Sequence, residues 1–275
     1  MADKGKPMIS EKDFKLNESL SRIKHVIIVM SGKGGVGKST LSVNLAMGLA
    51  MSGAQTGIMD IDIHGPNIPK MLHIEDEHII GVEDGLMPVE VPPRLKVMSM
   101  AFLLPDKDSP VVWRGPVKMG AIRQFIEDVK WGDLDYLVVD LPPGTGDEPL
   151  SIVQLIPKAD GAIIITTPQD VSLLDSRKTV TFARQAEIPV LGIVENMSGM
   201  VCPHCNQVVD VFKSGGGERT AADMGVDFLG RVPMEPEVVV SGDDGRPVVM
   251  SRPDSEAARA FMRIVDAVRK KVEKS

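Results

Sequence analysis

Short, continuously apolar runs alternate along this chain with stretches whose apolar positions return every three or four residues. "HVIIVM" (25–30) precedes a helical pattern over 38–51, with Leu41, Leu45 and Leu49 on one stripe, and "TGIMD" then ends at Asp60. Later runs are "DYLVVD" to Asp140, "GAIIITT" to Thr167 and "IPVLGIVEN" to Asn196. Helical patterns occupy 148–156, 172–185, about 217–224 and 254–272. Another covers 115–129, with Ile122, Phe125, Ile126 and Val129 on one face. Strands that are apolar throughout, rather than alternating, are those buried on both sides, as in a parallel sheet covered by helices. The pattern predicts an α/β fold: a doubly wound, mostly parallel sheet with helices on both faces.

Two stretches read differently. Residues 1–22 form a polar tail in which Phe14, Leu16 and Leu20 are candidates to dock a short helix, so the domain is expected to run over 23–275. The proline-rich segment "GLMPVEVPPRLKVMSM" (85–100) reads as short strands near a sheet edge or as a surface hairpin. No internal repeat or low-complexity linker interrupts the pattern.

Composition narrows the picture. The 275 residues are 43% hydrophobic and 25% charged, ordinary proportions for a globular protein. The longest apolar runs are strand-length, short of the ~18 residues of a membrane span, and the N-terminus lacks the apolar core of a secretory signal. A cytoplasmic protein is expected. A net charge of −7, with seven Phe, two Trp and one Tyr, argues against nonspecific nucleic-acid binding. The 17 methionines are read as adaptable core filling. The two cysteines, Cys202 and Cys205, stand together in "CPHC", which excludes a disulfide framework and opens a metal or redox question.

The chemistry concentrates in "SGKGGVGKST". Gly32, Gly37, Lys38 and Ser39 satisfy G-x-x-x-x-G-K-[ST] between a strand and a helix, the setting of a phosphate-cradling loop. Backbone N–H groups of such a loop form an anion nest at the helix's positive end. Gly34, Gly35 and Gly37 leave room for positive φ and close approach, and Val36 and Thr40 are expected to complete the nucleotide contacts. Lys38 is expected to reach the β- and γ-phosphates and Ser39 to ligate Mg²⁺. Asp140, at a strand's C-terminal end, is the candidate metal-associated acid, and residues 142–146 form a loop able to sense the γ-phosphate. Asp60 and Asp62 end another strand on the same side of the chain. One is expected to support Mg²⁺ and the other to orient water. Cys202 and Cys205 supply two thiolates where tetrahedral zinc or an iron–sulfur cluster usually takes four. A two-fold dimer would make up the number. A redox pair or a plain turn are the alternatives, and His204 is expected to face solvent.

Together with "DIDIHGPNIPKML", "VVDLPPGTGDEPLS", "VENMSGMVCPHC", "FKSGGGERTAADMGVDFLGRVP" and "DDGRPVV", the loop resembles the Mrp/ApbC iron–sulfur cluster carrier ATPases, within the MinD/ParA/nitrogenase-iron-protein class. The resemblance covers about residue 23 to the C-terminus. It implies ATP hydrolysis by a homodimer and a [4Fe–4S] cluster bridged between subunits by Cys202 and Cys205, within a metal-binding segment at about 197–212, for delivery to apo iron–sulfur proteins. Lys33, the lysine the basic pattern does not require, would act in trans on the partner's phosphates. Asp62 would position water, Asp60 would stand on the metal side, and Asn196 would read the adenine edge, with the segment after Val232 closing over the base. Members with an added N-terminal four-cysteine site differ from this chain, which has no cysteine before Cys202. Two other readings stay open: a MinD- or ParA-like positioning ATPase, and a zinc-bridged scaffold without cluster transfer. The final helix carries Lys270, Lys271 and Lys274, but Ala258, Phe261, Ile264, Val265 and Val268 are expected to face a core rather than a membrane.

Overall fold

The computed structural model of the chain describes residues 20–83, 85–104, 115–156, 159–202, 205 and 207–274. Phe14, Leu16 and His204 therefore lie outside the described residues, while Leu20 is buried.

Strand β1 (Ile23–Met30) sets the architecture. Ile27 and Val29 join one buried cluster and Val26, Ile28 and Met30 the other, so both faces of the sheet need cover. The chain continues through α1 (Lys38–Met51), β2 (Thr56–Asp60), the single turn α2 (Ile68–Met71), a hairpin of β3 (Ile80–Val82) and β4 (Gly85–Met87), then β5 (Val89–Val91) and β6 (Leu95–Ser99). Next come α3 (Gly115–Asp128), β7 (Leu134–Asp140), α4 (Asp147–Gln154), β8 (Gly161–Thr166), α5 (Asp170–Gln185) and β9 (Val190–Glu195). The last part holds a small hairpin of β10 (Met200–Val201) and β11 (Val208–Val209), α6 (Gly216–Met224), β12 (Phe228–Arg231), α7 (Pro236–Asp243), α8 (Val248–Ser251) and α9 (Glu256–Val272).

Eight strands form one sheet in the order β12-β9-β8-β1-β7-β2-β6-β5, parallel except for the edge strand β5. Helices α1, α8 and α9 cover one face, and α3 to α6 cover the other. Helix α1 is buried nearly all round because it lies between the sheet and α9. A Cβ on Gly48 would stand 2.8 Å from Val265 Cγ2, so glycine sets how closely these helices approach. Helix α9 starts at Ser255, whose side chain accepts from the Ala258 N–H at 3.0 Å. It buries Ala258, Phe261, Ile264, Val265 and Val268 as expected, each large side chain contributing about 1.5–3 kcal/mol. Among the described residues, no helix is long and apolar enough to cross a membrane.

The strands and longer helices fall within a few residues of the expected positions. The proline-rich segment divides. Its first part makes β4 and the edge strand β5, whereas β6 is a buried parallel member of the main sheet, in register with β2 from Leu95 opposite Thr56 to Ser99 opposite Asp60. The cysteine hairpin, α7 and α8 were not expected from the sequence pattern. One register position governs the chemistry of the sheet edge: Asp60 lies opposite Asp140 on neighbouring strands, so two carboxylates end side by side at the strands' C-terminal ends.

Candidate functional site

Residues 31–37 connect β1 to α1 at that edge. Gly35 and Gly37 have φ of 78° and 91°, the left-handed values that favour glycine. Gly34 does not share this conformation, and a Cβ there would meet no protein atom within 4 Å, so of the three expected glycines only Gly35 and Gly37 have positive φ. Gly32 is needed for a different reason: a Cβ there would lie 2.6 Å from the Asp175 backbone in α5. At Gly37 a Cβ would lie 2.2 Å from Asn196 Nδ2, which donates to the Val36 carbonyl at 2.9 Å. Asn196, at the end of β9, thus packs directly on the loop.

The Lys38 ammonium is buried and donates to Asp140 Oδ2 at 2.8 Å, with Asp62 Oδ2 at 3.4 Å. Burial works against its charge, but Asp140 and then Asp62 more than offset that and hold its pKa above the ordinary lysine value. Asp140 also accepts from Ser39 Oγ at 2.7 Å and Ser42 Oγ at 2.6 Å. Asp60 is fully buried and accepts from Ser99 Oγ at 2.8 Å and the Asp62 N–H at 3.2 Å. Burial first, and the neighbouring Asp140 charge second, push its pKa up to about 8. Asp62 Oδ1 is buried without a hydrogen-bond partner.

Lys38, Ser39, Asp60, Asp62 and Asp140 therefore converge as expected, three carboxylates around one ammonium. That donor set fits a hard divalent cation, which takes oxygen ligands and would relieve the acidic excess and the orphaned oxygen. The loop of residues 142–146 is tied in through the Gly144 N–H, which donates to the Ser31 carbonyl at 2.8 Å. Lys33 is half-buried, and no ion pair involves it among the described residues.

Beside the loop lies a cavity of about 430 Å³, lined by Gly37, Thr40, Asn44, Asn196, Met234 and Val248 among others. That is ample for a small-molecule ligand. Residues after Val232 form one wall, where the resemblance put the base.

Cys202 and Cys205 sit apart from this cluster, in the turn between β10 and β11, the first half-buried and the second exposed, neither in a disulfide. The Cys202 N–H donates to the Gln207 carbonyl at 2.9 Å, closing the turn. Val201, Val208, Val209 and Val211 around them are exposed. Among the described residues, no three or more His, Cys, Asp or Glu side chains stand ready to hold a metal ion: the sheet-edge acids have Lys38 between them, and the described part of the hairpin turn offers two thiols.

The sequence reading missed Ser42 and Ser99, which hold the two central carboxylates. Ser42 lies one helical turn beyond Lys38, a signal available in the sequence. Ser99 is visible only through the pairing of β6 with β2.

Comparison with known proteins gives the family. Residues 22–269 match the ParA family of NUBPL iron-transfer P-loop NTPases. The chain belongs to this family. It is 51% identical over 268 residues to a Methanocaldococcus jannaschii protein named iron–sulfur cluster carrier protein, covering 98% of this chain and 92% of that one. A nucleotide-binding protein of Archaeoglobus fulgidus, solved in complex with ADP and with Co found in it, is 37% identical with a TM-score of 0.78, over 92% of this chain and 97% of its own. The septum site-determining protein MinD of Pyrococcus horikoshii, complexed with Mg-ADP, is 22% identical with a TM-score of 0.66, over 90% of this chain and 96% of its own, and shares the fold. Within the iron-transfer NTPases, then, this chain keeps the glycine-rich loop and carboxylates at the sheet edge and its thiols on a separate hairpin.

Proposed function

We propose that this chain is a cytoplasmic, ATP-hydrolysing iron–sulfur cluster carrier, one ATPase domain from residue 23 onward, that holds a [4Fe–4S] cluster between two copies and passes it to apo iron–sulfur proteins. The observation that carries this reading is the pair of free thiols on a surface hairpin, Cys202 half-buried and Cys205 exposed, half of a four-thiolate site, set six residues beyond an asparagine that touches the phosphate loop. A cargo site that loads and unloads needs such exposure and few ligands per subunit, and a two-fold axis supplies the other two.

On this reading, the N–H groups of 32–40 cradle the phosphates, and Lys38 leaves Asp140 and Asp62 for the β- and γ-oxygens. Asn196 and the segment after Val232 hold the adenine. Freed of Lys38, Asp62 orients the attacking water, while the partner's Lys33 stabilises charge on the γ-phosphoryl group. Ser39, with Asp60 and Asp140 behind it, would hold Mg²⁺, which would supply Lewis-acid stabilisation of phosphate charge.

The apolar stripe of α9 is taken up by the core, which favours this reading over a membrane-positioning ATPase. The test is anaerobic reconstitution with iron and sulfide, following absorbance near 400 nm, with Cys202→Ser/Cys205→Ser as the control. Cluster bound by the wild type and lost in the double variant supports the carrier. Equal retention in both, or zinc at one per dimer and no iron in protein purified anaerobically, refutes it.

A further inference from the structure

The glycine triplet 215–217 is not accounted for by phosphate binding or by the thiols. It faces Glu195, the last residue of β9, whose carboxylate is fully buried and pairs with no cation among the described residues. Its partners are Ser198 Oγ, donating to Oε1 at 2.5 Å, the Gly215 N–H, donating to Oε1 at 2.9 Å, and the Gly217 N–H, donating to Oε2 at 2.5 Å. Each glycine has its own reason. Gly215 has φ of 79°. A Cβ on Gly216 would lie 2.6 Å from Leu173 Cδ1, and one on Gly217 would lie 3.0 Å from Glu195 Cβ.

Between Glu195 and Gly215 the chain makes the excursion that carries the cysteines. Ser198 lies on its outgoing arm, and Gly215 and Gly217 on its return. The carboxylate therefore closes the neck of the cysteine loop from inside. The same neck is bonded to the cavity wall. The Val232 N–H donates to the Glu195 carbonyl at 2.8 Å, the Ser198 N–H to the Val232 carbonyl at 3.0 Å, and the Met234 N–H to the Gly199 carbonyl at 2.8 Å. Met234 lines the cavity, and Asn196, the next residue after Glu195, holds the Val36 carbonyl of the phosphate loop. From Asn196 to Cys202 the chain can span at most about 20 Å.

We propose that Glu195 is a positioning residue that couples the nucleotide cavity to the cysteine hairpin. This rests on the reading that the cavity takes nucleotide and the thiols take cargo. A nucleotide that shifts Asn196 or the 232–235 wall moves the outgoing arm. The buried carboxylate carries that movement to the return arm, because leaving its donors without replacement is costly. Glutamate is required for this. A glutamine has one acceptor oxygen: placed where Oε1 is, it keeps the Ser198 and Gly215 bonds but turns its NH₂ against the Gly217 N–H, so the bridge to the return arm is weakened by half.

The experiment measures iodoacetamide alkylation of Cys202 and Cys205 in the full-length, metal-free protein, with and without saturating Mg-ADP, alongside the nucleotide Kd. In the wild type, nucleotide is expected to change the alkylation rate by about 5-fold or more, while Glu195→Gln keeps its Kd within about 3-fold and shows a rate ratio reduced to about 2-fold or less. Ser198→Ala, which removes the carboxylate's one bond from a donor on the outgoing arm, should lower the ratio as well, and it decides the matter alone if Glu195→Gln does not fold. A purely structural role would raise reactivity equally with and without nucleotide, so the ratio is the discriminating quantity. A wild-type ratio in either folded variant overturns the coupling. So does a wild type that binds nucleotide and cluster but has a ratio of one, and that outcome leaves the carrier reading standing. Nucleotide-responsive thiols in a protein that takes up no cluster refute the carrier reading and leave the coupling intact.

Discussion

Asp60 is the residue whose replacement should make the ligand-free protein more stable. Its carboxyl ends β2 opposite Asp140, fully buried, with an ordinary value of 3.8 pushed up to about 8. The folded chain therefore binds this proton more tightly than the unfolded chain does. The associated stability is fully present below about pH 4 and is lost as pH rises toward 8. The interval from 3.8 to neutral pH, at about 1.4 kcal/mol per pH unit, sets an upper bound of about 4 kcal/mol on what holding this acid costs at pH 7. Asp60→Asn keeps an acceptor for the Asp62 N–H and a polar partner for Ser99, but gives up the Lys38 attraction, so a gain of about 2 kcal/mol is expected. In a chain of this size that raises Tm by roughly 4 °C. The assay is thermal unfolding in EDTA without nucleotide, at constant ionic strength, from pH 5.5 to 8. The wild type should lose stability across this window and Asp60→Asn should lose less. With Mg-nucleotide added, the order should reverse, because the carboxylate is then wanted. An Asp60→Asn protein no more stable than the wild type at pH 7.5, with an unchanged pH slope, would refute the argument.

The other predictions address the loop. Lys33→Ala should bind nucleotide within a few-fold of the wild type but release phosphate about 100-fold more slowly or worse, since a trans cation acts on the transition state. Normal turnover would exclude the trans role. Lys38→Met should abolish nucleotide binding by calorimetric titration and lower stability by about 3 kcal/mol or more, because Asp140 and Asp62 lose their buried counter-charge. Gly37→Ala should cost about 2–3 kcal/mol in urea unfolding. Its φ of 91° penalises a side chain by about 1–2 kcal/mol, and its Cβ displaces Asn196 from Val36, a bond contributing about 1 kcal/mol.

The sheet was legible because β1, β7, β8 and β9 are apolar on both faces, and no other common architecture asks that of consecutive short runs. The helices between them could be read from the three-to-four-residue return of their apolar positions. Helix α7 escaped notice because its "PEVVV" core is a β-branched run that reads as a strand, and only its position against α2 and α8 makes it helical. Strand β6 was concealed by Pro92, Pro93 and Lys96, whose ammonium reaches the Trp131 carbonyl at 2.7 Å and so leaves the strand free to be buried. The site divides in the same way. Lys38, Ser39, Asp60, Asp62 and Asp140 were visible because loop and strand-end positions carry recognisable chemistry. Ser99 and Glu195 were not, because a polar residue closing an apolar run shows its partner only once strands separated in sequence lie in register.

The two clusters of buried acid at this sheet edge pose opposite electrostatic problems. At the phosphate loop, three carboxylates share one ammonium, so the site is left with an unpartnered Asp62 oxygen and a carboxyl driven toward its neutral form. At the neck of the cysteine loop, one carboxylate is satisfied by three donors and needs nothing more. The first arrangement favours a bound cation and changes when one arrives. The second resists change and can transmit it. Asn196, between them in sequence and bonded to the loop, is where a rearrangement at the first would have to enter the second. A substitution that weakens the loop without touching Asn196 should therefore alter nucleotide affinity while leaving the bound-state response of the thiols in place, whereas Asn196→Ala should uncouple the two even where nucleotide still binds.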